Sequence, residues 1–155
     1  MTMNKLLFFI ASMAACACSA IAQPARDDAP PPQSSDPRIV IELFAEHPQI
    51  VTPTGLAVDR AGHVFVIESN THFRPDNYKG PAADRILRMS DTTGDGKVDK
   101  IDVFHEGTIA TMDLALSDDG WLYVAERSRI LRLQDTDNDG KADKSEDIVT
   151  LDTTG

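Results

Sequence analysis

The chain has 155 residues, enough for one domain with a sizeable core. Fifteen basic residues against 25 acidic ones leave a net charge of −10, a surface that repels nucleic acid and anionic lipid. A nucleic-acid partner is therefore not expected. The only cysteines, Cys16 and Cys18, lie in the N-terminal leader, so the rest of the chain has no disulfide and no thiol nucleophile.

Lys5, the apolar run over residues 6–15 and the small-x-small triplet Ala20-Ile21-Ala22 predict an export signal over residues 1–22, cleaved before Gln23. A competing reading takes Met13-Ala14-Ala15-Cys16 as a lipobox, which would make Cys16 a lipidated anchor. Either way the protein is expected outside the cytoplasm, periplasmic or extracellular. The apolar run is too short to span a bilayer, and no transmembrane segment follows it. Residues 23–37, rich in proline, serine and charge without periodicity, read as a disordered linker. Ile39-Val40-Ile41-Glu42-Leu43-Phe44 then predicts a leading β-strand.

Beyond it the sequence repeats. TGLAVDRAGHVFVIE at 54–68 matches MDLALSDDGWLYVAE at 112–126, offset by 58, while RILRMSDTTGDGKVDK at 85–100 matches RILRLQDTDNDGKADK at 129–144, offset by 44. The first copy thus carries an extra 14 residues between about Asn70 and Asp84. Each copy divides into four short strand-like pieces separated by Asp/Gly turns, so the fold class is all-β: two blades of a β-propeller plus the leading strand, with the propeller part over 38–155. The blades fall at about 54–106 and 112–151. Two blades leave open sheet edges, which sheets avoid, so the remaining blades of a longer chain are the expected partner.

The chemistry sits in the aspartate loops. Residues 135–146 match a twelve-residue calcium loop at every ligand position: Asp135, Asp137 and Asp139, the Lys141 carbonyl, Asp143, and Glu146 as the final bidentate ligand, with Gly140 allowing the sharp bend. Residues 91–102 match less well, offering Asp91, Thr93, Asp95, the Lys97 carbonyl, Asp99 and the shorter Asp102. Asp, Asn and Gly also favour plain solvated turns. Four or five carboxylates in one loop, however, repel one another without a counter-ion. The flanks lack helical spacing of apolar residues, so the loops are expected to join strands, not EF-hand helices.

The long loop after Glu68, with His72, Phe73, Arg74 and Tyr78, is a packing loop or a substrate-facing one. Glu68 and Glu126 occupy equivalent positions and are read as structural ion-pair partners more readily than as cavity-lining groups. His47, His63 and His105 show no metal spacing and read as surface residues.

The string from Leu114 to Arg127 (LALSDDGWLYVAER) with Arg129-Ile-Leu-Arg-Leu133 resembles the opening blade of quinoprotein glucose/sorbosone dehydrogenases. With DTDNDGKAD at 135–143 it is closer to the membrane-bound dehydrogenase propellers of planctomycete-type bacteria, whose propeller is often followed by helical repeats and a haem-binding CxxCH domain. The resemblance implies a six-bladed ring, sugar or alcohol oxidation with a PQQ-type quinone, and a c-type haem domain as partner. This stretch holds no CxxCH motif, and no residue in it matches a catalytic base or quinone ligand. A non-catalytic secreted calcium-binding scaffold or adhesion module is the alternative.

Overall fold

Short runs of β-branched and aromatic residues, cut by turns rich in aspartate and glycine, build eight strands. They are β1 Pro53–Val58, β2 Val64–Glu68, β3 Asp84–Ser90, β4 Lys100–Thr108, β5 Thr111–Leu116, β6 Leu122–Glu126, β7 Arg129–Gln134 and β8 Lys144–Thr150. The computed structural model describes residues 30–153. The expected export signal, Cys16 and the first part of the linker lie outside them. No helix among the described residues is long and apolar enough to cross a membrane.

The strands form two separate four-stranded antiparallel sheets, ordered β1-β2-β3-β4 and β5-β6-β7-β8. Within each sheet every strand pairs with its neighbour in sequence, the meander of a propeller blade. Turn chemistry fixes the register. In the β1–β2 turn the Asp59 carboxylate accepts the N–H groups of Ala61 (2.9 Å) and His63 (2.8 Å), and Gly62 takes φ 89°. Side chains then alternate across the sheet. In β2, Phe65 and Ile67 face the second sheet while Val66 faces away.

The core between the sheets joins Phe65, Ile67, Ile86 and Phe104 to Leu114, Leu122, Val124, Leu131 and Leu133. Phe65 and Phe104 meet edge to face at 4.9 Å. A second cluster, Val66, Leu87, Met89 and Val98, lies on the far face of the first sheet under Phe44, Ala45 and Ile50. The sheets touch most closely where β1 meets β5. A Cβ on Gly55 would fall 2.9 Å from Asp113 Oδ1, 3.0 Å from the Asp113 Cα and 3.1 Å from Ile67 Cδ1. Backbone stands in the way, so relief requires the sheets to part. Gly55→Ala should cost about 1–3 kcal/mol, the usual range for overpacking, read as a lowered melting temperature.

Two boundaries differ from expectation. Residues 39–44 form no strand, although they are extended and apolar: Val40 is 77% exposed and Leu43 62%. A strand needs a paired neighbour, and among the described residues this segment has none. It meets the fold instead through a backbone bond, from Val98 N to Phe44 O at 3.0 Å, and through Phe44, which packs on the far-face cluster. The outer strand of the second sheet starts at Lys144, inside the twelve-residue loop expected over 135–146, because Ser145, Glu146 and Asp147 pair with Leu133, Arg132 and Leu131. That shift decides the fate of Glu146.

Candidate metal centre

Both aspartate loops join the third and fourth strands of their sheets, as the absence of helical flanks requires. The loop between β7 and β8 begins with Asp135 as it leaves β7. Asp135 Oδ2 accepts the Gly140 N–H at 2.9 Å, and Gly140, at φ 94°, provides the bend that turns the chain back. Asp137 Oδ1 takes the Asp139 N–H at 3.2 Å, and Asp139 Oδ1 takes the Lys141 N–H at 2.8 Å. These bonds curl the loop so that Asp135, Asp137 and Asp139 each bring a carboxylate oxygen within 4.8 Å of the others.

Asp135 Oδ1 is buried and has no hydrogen-bond partner. A desolvated anionic oxygen without a donor is costly, so the arrangement fits a hard cation supplied from outside. Asp143 sits across the loop, accepting the Thr136 N–H (3.0 Å) and hydroxyl (2.6 Å), and these bonds hold its carboxyl below the usual aspartate range.

Glu146 does not join them. It lies in β8, where Arg132 donates to its Oε2 at 2.9 and 2.5 Å and Lys144 stands 3.1 Å from Oε1. The twelfth position of a calcium loop is a ligand when a helix turns it inward; a strand starting at Lys144 turns it onto the neighbouring strand instead. The second loop therefore brings together the first, third and fifth positions of the pattern, with the ninth alongside and the twelfth removed.

The first loop is arranged differently. Asp91 Oδ1 accepts the N–H groups of Thr93 (3.1 Å), Gly94 (2.6 Å) and Asp95 (3.3 Å), and Oδ2 that of Gly96 (2.8 Å). The bond from Gly96 is the largest of the influences that lower its pKa. Asp99 is held by the Thr92 N–H and hydroxyl, and Asp95 Oδ1 takes the Lys97 N–H at 3.0 Å. Backbone donors already satisfy both oxygens of Asp91. Asp102, the expected twelfth ligand, lies in β4 with its Oδ2 buried and 2.8 Å from Lys100 Nζ, an ion-pair contact outside hydrogen-bond geometry.

At the opposite end of the sheets lies a centre that the sequence reading passed over. Asp84 is completely buried. Its carboxylate accepts the N–H groups of Asn70 (2.6 Å), Thr71 (2.7 Å) and Thr111 (2.9 Å) and the Thr71 hydroxyl (2.9 Å). Burial pushes its pKa up, but these donors outweigh burial and hold it below 3.8. The long loop is thus anchored at its base, with Tyr78 bonded to Asn70 and Arg74 to the Ala82 carbonyl. Glu68 pairs with Arg85 and Glu126 with Arg129 (2.8 Å), the structural role expected for both glutamates. His63 is no plain surface residue: its Nδ1 lies 2.7 Å from Asp59 Oδ2, with Arg88 Nη2 at 3.0–3.2 Å from the ring nitrogens.

A family profile described as a domain of unknown function, DUF7133, matches residues 34–153. The chain belongs to that family. Two similar solved structures come from Trichoderma reesei, described as carbohydrate-active enzymes of family AA12. The iodide structure is 17% identical with a TM-score of 0.53, over 71% of this chain and 25% of that one. The calcium structure is 18% identical with a TM-score of 0.49, over 66% and 24%. At such identity the first likeness is one of fold, and this chain spans about a quarter of either length. No curated protein matches.

Proposed function

We propose that this member of the DUF7133 family is the N-terminal part of an exported, dehydrogenase-like β-propeller whose aspartate loops bind calcium. The observation that carries the metal reading is the convergence of Asp135, Asp137 and Asp139 around the unpartnered buried Asp135 Oδ1. Oxygen donors alone, several of them carboxylates, suit calcium, which takes six to eight oxygens in flexible geometry.

The propeller reading has support in the faces of the sheets. Phe65, Ile67, Ile86 and Phe104 of the first sheet are covered by the second. Their counterparts on the second sheet, Tyr123, Ala125, Ile130 and Ile148, are only partly covered, and Ile148 is 45% exposed. A further blade would cover them as the second covers the first. Oxidation of a sugar or alcohol with a PQQ-type quinone, and electron transfer to a c-type haem domain, belong to the longer protein. No residue of this chain is assigned to the quinone.

The test is the coding sequence beyond Gly155 together with the activity of its product. Further blades and a CxxCH motif are expected. The whole protein, loaded with calcium and PQQ, should reduce an artificial electron acceptor with aldoses or alcohols. A stop codon after Gly155, or a calcium-loaded whole protein inert to both classes, would favour the scaffold alternative.

A further inference from the structure

The second aspartate loop does more than close its own sheet: it is seated on the first. Ala142 N donates to Phe104 O of β4 at 2.8 Å, and Ala142 packs into the core between the sheets. Beside it, a Cβ on Gly140 would stand 2.9 Å from Arg88 Nη1 and 3.7 Å from Asp102 Oδ2. The loop glycine therefore rests on a platform made by His63, Arg88, Lys100 and Asp102, in which Arg88 lies against the His63 ring and Lys100 against Asp102.

The first loop repeats this contact. Val98 N donates to Phe44 O at 3.0 Å, and a Cβ on Gly96 would stand 3.2 Å from Glu42 Oε2. Residues 41–46 read IELFAE and residues 101–106 read IDVFHE, so Glu42 and Phe44 stand for Asp102 and Phe104. Two loops, in different surroundings, use one docking geometry.

The platform itself occurs twice. At the repeat offsets of 58 and 44, His63, Arg88, Lys100 and Asp102 correspond to Trp121, Arg132, Lys144 and Glu146. The second set is also gathered into one cluster, with both cations on the aromatic ring and on the carboxylate. The Arg132 guanidinium lies 4.1 Å and Lys144 Nζ 4.6 Å from the Trp121 ring centroid, and Glu146 receives Arg132. Among the described residues no aspartate loop lies against it. Arg132 and Lys144 present two cations here, set against Glu146 and the nearby Asp119, and cations are what an acidic loop would meet.

We propose that Trp121, Arg132, Lys144 and Glu146 form the docking platform for a further aspartate–glycine loop, whose glycine seats against Arg132 as Gly140 seats against Arg88. This rests on the reading that further blades exist and names the surface that receives the next one. It also gives Glu146 a role that its absence from the metal cluster left open.

Trp121 is the single tryptophan of the chain and reports on the platform directly. A synthetic hairpin with the sequence of residues 129–150, which carries no tryptophan, is titrated with calcium into the full chain. Saturable change in Trp121 emission is expected. Arg132→Gln and Glu146→Gln should each weaken binding about tenfold or more, while Arg60→Gln, in the exposed pair with Asp118, should leave it unchanged. A hairpin of the same composition in scrambled order should give no change. Unaltered Trp121 emission at millimolar hairpin, or equal affinity in all three variants, would overturn the proposal. Failure here with further blades encoded beyond Gly155 would reject the platform and leave the propeller reading standing.

Discussion

Asp84→Ala should be the most damaging single substitution in this chain, lowering stability by about 3 kcal/mol or more. The wild-type carboxylate gathers three backbone N–H groups and one hydroxyl from two separate segments, Asn70–Thr71 and Thr111. Removing it leaves the buried Thr111 N–H and the half-buried donors of Asn70 and Thr71 unpaired, and detaches the long loop from the start of β5. For a domain of this size the loss should appear as a fall in melting temperature of roughly 10 °C. Asp84→Asn keeps one acceptor oxygen and should fall between the two.

The same group fixes a pH dependence. Its folded pKa lies below the 3.8 of an ordinary aspartate, so the unfolded chain takes up the proton first. The contribution of Asp84 is complete above about pH 4 and is lost as pH falls through the folded value. Melting curves of wild type and Asp84→Asn should converge in that acid range and separate above it. Parallel curves at every pH would remove Asp84 from the account.

Much of the fold was legible because it is written twice. The offsets of 58 and 44 place strands and turns in both copies, and the alternation in Val64-Phe65-Val66-Ile67 gives the faces. The register at the outer strand was not legible. Whether Glu146 belongs to a loop or a strand depends on Arg132, fourteen residues earlier and reached only across β7–β8. The leading segment failed for a related reason, since Ile39 to Phe44 has strand composition but no paired neighbour among the described residues. Asp84 was hidden because nothing local marks it: one of its donors, Thr111, lies 27 residues away. His63 and Trp121 occupy one aligned position, 58 residues apart, but nothing in either local stretch marks the third-strand arginine that each one meets.

Calcium should raise the melting temperature in a concentration-dependent way. On the proposed reading a cation favours the folded loop, where Asp135, Asp137 and Asp139 converge, over the open chain, where they do not. At a hundredfold excess over its dissociation constant the gain is about 2.7 kcal/mol, less any affinity for the unfolded chain, or several degrees. Asp135→Ala and Asp137→Ala should remove most of this shift. Asp91→Ala should remove little of it, because Asp91 is already engaged by its own loop's N–H groups. Glu146→Ala should keep it, because that glutamate is held by Arg132 and Lys144 in β8. Magnesium, with its tighter octahedral demand, should substitute poorly.

The most direct measurement is isothermal calorimetry of calcium into the folded chain, repeated on Asp137→Ala and Glu146→Ala. Binding to a site that Asp137→Ala abolishes and Glu146→Ala preserves is the expected result. Protein shown to be folded that gives no binding heat and no thermal shift at millimolar calcium would contradict it, and the loops would then be turns alone.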